Sequence, residues 1–178
     1  MLVVGKVGYG LGENTNGLRE TRLTPDEQYT HITLWTLVAS NMLIGCDISQ
    51  MDDFVLGLLC NNEVNAIDQD LLGKQADRTL KEGDIEVWSR PLADGAIAVG
   101  IFNVGETDQK VDMKALISPL PASPKKEESS LGTPTLRESR RGSSAKIVRD
   151  LWRQKDLSEG ELTCTIPAHG CKYLRVRF

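Results

Sequence analysis

Two spacings of apolar residues divide the chain. Up to about residue 72 they recur at helical intervals, and beyond Gly73 they alternate every second position. The first region opens with a short strand-like run, Leu2-Val3-Val4, and continues as a glycine-rich loop to about residue 23. Thr24-Pro25-Asp26-Glu27 then reads as a helix start. Thr24 can cap, Pro25 suits the first helical position, and Glu27 is placed to close a capping box. Ile32, Leu34, Trp35, Leu37 and Val38 follow to about Ser40 and leave only a narrow polar stripe, Thr33 and Thr36. This helix is therefore expected to pack on more than one side. Met42-Leu43-Ile44-Gly45-Cys46 is a continuous apolar run ending at Asp47, as expected of a parallel strand covered on both faces. A second helix starts near Ser49 or Asp52 and carries Phe54, Val55, Leu58 and Leu59, with Asn61-Asn62 as its stop. Helix, buried strand, helix is the rhythm of an α/β fold.

The second region predicts antiparallel strands. Ile97, Val99 and Ile101 alternate with Ala98, Gly100 and Phe102; Leu162, Cys164 and Ile166 alternate with Thr163 and Thr165; Leu174, Val176 and Phe178 alternate with Tyr173, Arg175 and Arg177. Ala93-Asp94-Gly95, Glu159-Gly160 and Pro167-Ala168-His169-Gly170 supply turn chemistry between them. The architecture expected is a β-sandwich, with the boundary between regions near residues 68–80. From Pro119 to Ala145 the chain is rich in Ser, Pro, Lys, Arg and Glu and lacks aromatic residues, so it is expected to be a disordered insertion. Arg140-Arg141-Gly142-Ser143 inside it has the form of a basic-directed phosphorylation site, with a solvated loop the preferred reading.

Charge removes some function classes. With 21 Lys and Arg against 25 Asp and Glu, the net charge of −4 provides no basic excess to displace counterions from a nucleic acid. No apolar run approaches the roughly 18 residues of a membrane span, and the apolar start at Met1 is too short for a signal-peptide core. Neither nucleic acid nor membrane is expected as a partner. Cys46, Cys60, Cys164 and Cys171 form no CxxC pair and His31 and His169 lie far apart, so no metal or cofactor is expected. A Cys164–Cys171 disulfide is conceivable across a turn, with free buried thiols the preferred reading. Asp47, at the end of the buried strand, occupies the position where α/β barrels keep their sites. An ordinary loop or capping residue is the preferred reading of such a lone acid; Asp52-Asp53 reads as a helix start, and Asp68 and Asp70 fall at the domain junction. Trp35, Trp88 and Trp152 read as core residues rather than sugar-stacking platforms.

Several runs together are more specific than any one. Met1-Leu2-Val3-Val4-Gly5, Leu34-Trp35, Leu43-Ile44-Gly45-Cys46-Asp47 and the run from Glu63 to Gln75 stand in the first part. Glu86-Val87-Trp88-Ser89-Arg90-Pro91-Leu92, Ala98-Val99-Gly100-Ile101-Phe102-Asn103 and Arg149-Asp150-Leu151-Trp152 continue the series. In order and spacing these runs resemble the α-galactosidase family of glycoside hydrolases, family 27.

That resemblance implies a (β/α)8 barrel followed by an antiparallel β-sandwich. Residues 1–72 would be the C-terminal end of the barrel and residues 73–178 the sandwich. It implies hydrolysis of terminal α-linked galactose with retention, by two aspartates about 5–5.5 Å apart. Both belong to strands expected upstream of Met1, so no catalytic residue is expected in this chain. Met1 matches the methionine after the family's Trp-Asn-Asp-Pro-Asp run and is the expected substrate-binding residue. Asn41, Asp68 and Leu71 depart from the family's usual proline, asparagine and proline. Members are commonly secreted, periplasmic or lysosomal. The alternative reading is a non-catalytic β-sandwich module that binds carbohydrate or protein.

Overall fold

The computed structural model describes residues 1–8, 17–120, 145 and 147–178. Of the expected insertion only Pro119, Leu120 and Ala145 fall within that description; the Arg140–Ser143 site lies outside it.

In the first region β1 (Lys6–Val7) pairs with β2 (Arg19–Glu20), and α1 runs from Pro25 to Leu37. The predicted capping box is present: Glu27 N donates to Thr24 Oγ1 at 3.3 Å, and Thr24 N donates to Glu27 Oε2 at 2.7 Å. A 3-10 turn (Ile48–Gln50) leads to α2 (Asp53–Leu59) and α3 (Asn62–Asp68). The asparagine pair does end α2, but it also starts the next helix. Asn61 Oδ1 accepts from Glu63 N and Val64 N at 3.0 and 3.2 Å, satisfying two amides that α3 would otherwise leave bare.

The second region holds β3 (Asp77–Glu82), β4 (Ile85–Pro91), β5 (Ile97–Asn103), β6 (Gln109–Asp112), α4 (Met113–Ile117), β7 (Ile147–Asp150), β8 (Lys155–Asp156), β9 (Thr163–Ile166) and β10 (Cys171–Arg177). Six strands form one antiparallel sheet in the order β3-β4-β5-β10-β7-β8, and β6-β9 form a second layer. The edges are a charged, largely exposed β3 and a two-residue β8, both poor templates for further pairing. The expected Ala93-Asp94-Gly95 turn joins β4 to β5, with Gly95 at φ 83°, where a side chain would be strained.

Each face of the six-stranded sheet has its own core. Val87, Val99, Ile101, Leu174 and Val176 face Val111, Ile166, Met113 and Ile117 of the second layer and α4. Ala98, Phe102, Trp88 and Tyr173 meet Ile32, Leu37, Val64 and Ile67 of α1 and α3. The helices of the first region thus share a core with the sheet. The central strand, β5, is buried at all seven positions and does not alternate between core and water.

The run Met42–Cys46 differs from expectation. Leu2 and Ile44 form one parallel bridge, but Leu43 is 62% and Ile44 49% exposed. The run is therefore not the strand covered on both faces that its apolar sequence predicts.

Candidate functional site at the ends of two parallel segments

Leu2 N donates to Leu43 O at 2.7 Å and Gly45 N to Leu2 O at 3.0 Å, so residues 2–4 and 43–46 run side by side in the same direction. Just past their carboxyl ends lies a cleft of about 490 Å³ lined by Lys6, Glu20, Gln50, Asp52 and Val55. In α/β folds ligands bind at that end of the strands. Gly5 turns the chain into the cleft at φ 62°, and a Cβ there would come within 2.7 Å of Val55 Cγ2. Gly5 N is held by Gln28 Oε1 at 3.0 Å, and Lys6 Nζ donates to Gln50 Oε1 at 3.2 Å. The lining offers an ammonium, an amide and carboxylates, groups suited to neutral polyols.

Met1 is 65% exposed, and its side chain lies against Gly45. A Cβ at Gly45 would come within 2.6 Å of both Met1 Cγ and Leu2 O, so glycine permits this approach. Along the opposite edge, Val3 N donates to His31 Nε2 at 3.3 Å and Thr21 Oγ1 donates to Val3 O at 2.6 Å. Burial, with a smaller contribution from the N-terminal amine, pushes the His31 imidazole below its usual range and favours the neutral form that can accept. Sequence reasoning gave His31 no role: one histidine on a helix carries no signal for a partner 28 residues away.

The candidate acids are dispersed. Asp47 Oδ1 accepts from Ser49 N at 2.9 Å and Ser49 Oγ at 2.6 Å, and these bonds hold its carboxyl below the usual range. Asp52 caps α2 by accepting from Val55 N at 2.8 Å. Asp70 accepts from Leu72 N and from Ala93 N, tying the junction to the β4–β5 turn. These three carboxylates serve three separate backbone segments. Asp68 differs: its Oδ1 is buried without a hydrogen-bond partner among the described residues, and burial raises its carboxyl against the opposing effect of Arg90.

The three tryptophans are partly buried against the helix-side core. Trp35 Nε1 donates to Asn41 O, Trp88 Nε1 to Glu86 Oε2 and Trp152 Nε1 to Thr33 Oγ1. Each indole N–H is therefore engaged within the protein, as packing residues require. All four cysteines are free thiols, and burial pushes that of Cys171 up to about 11. Among the described residues no cluster of His, Cys, Asp and Glu is arranged to hold a metal.

A two-layer antiparallel sandwich, with helices on the outer face of its larger sheet, defines the class of protein. Residues 82–176 match the alpha galactosidase C-terminal beta sandwich domain. Alpha-galactosidase 2 of Arabidopsis thaliana is 33% identical over 155 residues, covering 84% of this chain and 33% of its own length. Among solved structures, a family 27 β-L-arabinopyranosidase from Geobacillus stearothermophilus superposes with a TM-score of 0.72 at 26% identity, covering 99% of this chain and 36% of that one. Alpha-galactosidase I from Mortierella vinacea superposes with a TM-score of 0.66, also at 26% identity, over 86% of this chain and 36% of its own. The chain belongs to the α-galactosidase family, glycoside hydrolase family 27, and corresponds to its C-terminal portion. It spans about a third of the length of the curated relatives it matches.

Proposed function

We propose that residues 1–72 are the last βα units of a (β/α)8 barrel and residues 73–178 its C-terminal sandwich, in a retaining glycosidase that cleaves terminal α-linked galactose. The observation that carries this reading is the parallel Leu2–Ile44 bridge, whose two segments are joined across α1. Parallel neighbours need such a crossover, and a helix is its usual form. The exposure of Leu43 and Ile44 is what a barrel segment shows when its neighbouring strand is not beside it.

On this reading Met1, whose side chain lies against Gly45 and outside the lining of the cleft beyond Gly5, is the residue that contacts the sugar, and the two catalytic aspartates sit on barrel strands outside this chain. The 178-residue chain alone is then inactive, because double displacement needs a nucleophile and a separate acid/base on opposite sides of the glycosidic bond. Asp47 cannot fill both roles, and its carboxylate is occupied by Ser49. The test is hydrolysis of an aryl α-galactoside by the purified chain, expected at the rate of the buffer blank. Turnover that disappears in Asp47→Asn would overturn the proposal.

A further inference from the structure

A second cleft, of about 580 Å³, opens where α3 and the junction after it meet the sheet, and it shares no lining residue with the strand-end cleft. Small-molecule sites span roughly 300–1,000 Å³. Ile67, Leu92 and Leu151 line it with buried apolar side chains. Leu71 lines it too, yet at 96% it is the most exposed large apolar side chain among the described residues. Arg149 and Arg175 are direct cross-strand partners on β7 and β10, an arrangement of like charges that destabilises unless each is compensated. Glu63 of α3 compensates the first, accepting from Arg149 Nε at 2.7 Å and from Nη2 at 2.6 Å. Asp94, in the β4–β5 turn, compensates the second. It accepts from Arg175 Nη2, from Arg177 Nη2 at 2.8 Å and from Ala96 N at 3.1 Å. The two oxygens of Asp70 accept from Ala93 N at 3.1 and 3.0 Å and hold the remaining wall.

These bonds fix the walls in advance, so little ordering entropy is left to lose on binding. They also leave capacity. Arg175 engages only Nη2, and its Nε and Nη1 make no hydrogen bond among the described residues. Gln69 adds an exposed amide to the lining. Arg149, Arg175 and Arg177 balance Glu63, Asp70 and Asp94, so the site favours neither an anion nor a cation. Donors and acceptors side by side, next to apolar surface, match a sugar ring with its vicinal hydroxyls and its C–H face. We propose that this cleft binds a neutral saccharide, with Arg175 bonding the hydroxyls and Leu71 covering the ring. The inference goes beyond the catalytic reading and does not depend on it, because every group it uses belongs to this chain.

The test is an NMR titration of the isotope-labelled 178-residue chain with methyl α-D-galactopyranoside and with raffinose. Saturable shifts are expected at the backbone amides of Ala66, Ala93 and Arg175, with a roughly millimolar Kd. Arg175→Gln should weaken binding about tenfold, the size of one hydrogen bond to a charged group. Should that variant fail to fold, Leu71→Asp decides, since its side chain stands in solvent and carries no packing. It should weaken binding about threefold through lost apolar contact. Galacturonate, which adds a carboxylate to the same ring, should bind less tightly than the neutral galactoside. The proposal is overturned by the absence of saturable shifts, by unchanged affinity in Leu71→Asp, or by tighter binding of galacturonate. Shifts confined to Lys6, Gln50 and Asp52 overturn it as well and leave the catalytic reading standing, so the two readings fail separately.

Discussion

Toward β6, β9 and α4, the six-stranded sheet presents Val87, Ile97, Val99, Ile101, Leu174 and Val176, all aliphatic. Toward the helices it presents Trp88, Arg90, Phe102 and Tyr173, and it meets them through hydrogen bonds from Thr36, Arg90 and Trp152. Asn61 adds another, its Nδ2 donating to Leu151 O at 3.0 Å. Aliphatic burial is strong and non-directional, so the first face contributes stability without fixing how its cover sits. Polar groups buried on the second face are costly unless their partners are in place, so they penalise any other placement of the helices. One face holds the sandwich closed; the other holds the helical region in register with it.

The largest break in that comparison comes on the aliphatic face. Ile101 is fully buried in the central strand, and Ile101→Ala should cost about 2–5 kcal/mol from lost transfer energy and the cavity left behind. A urea titration reads this as a lower midpoint at unchanged slope. A loss below about 1 kcal/mol would show that this face is not the main source of stability.

On the helix face the sensitive position is one with no side chain at all. A Cβ at Gly100 would lie 2.5 Å from Leu37 Cδ1 and 2.6 Å from the Phe102 ring. Gly100→Ala should therefore cost about 1–3 kcal/mol through overpacking of α1 against β5. Leu37→Ala in the same chain should offset part of the contact, so that the two losses do not add. Strict additivity would mean that α1 is not seated through this contact.

The smallest effect belongs to His31, which fastens the edge at Val3. Its folded pKa lies below the ordinary value of 6.5, so the unfolded chain binds the proton first. The stability it contributes is present above pH 6.5 and is lost as the pH falls through that value toward the folded pKa. His31→Gln keeps an acceptor that does not titrate. Its unfolding free energy should depend less on pH than the parent's between neutral pH and the onset of carboxylate protonation. Parallel pH profiles for the two chains would remove His31 from this role.

Local chemistry was legible wherever a few adjacent residues settle the matter. Thr24 and Glu27 announced their capping box because both partners lie within one turn. Alternation located β5, β9 and β10, and Asp94-Gly95 marked a hairpin, because strand period and positive φ are written in side-chain type. The site was less legible. Asp47 looks the same in sequence whether it caps a turn or performs chemistry, and only the position of Ser49 distinguishes the two. Asn61 read as a stop because its second role depends on two amides further along the chain.

The sequence by itself determined the helix start at Thr24 and the strand periods, both of which rest on interactions within a few residues. The tertiary structure decided which faces those periods bury. It covers β5 on both sides, leaves Leu43 and Ile44 exposed, and seals Arg90 against the end of α1, where it donates to Thr36 O. Burial depends on what arrives from distant parts of the chain: α1 and α3 from one side of the sheet, β6, β9 and α4 from the other. No local pattern carries that information, because the free energy of desolvating a group is set by all its neighbours at once.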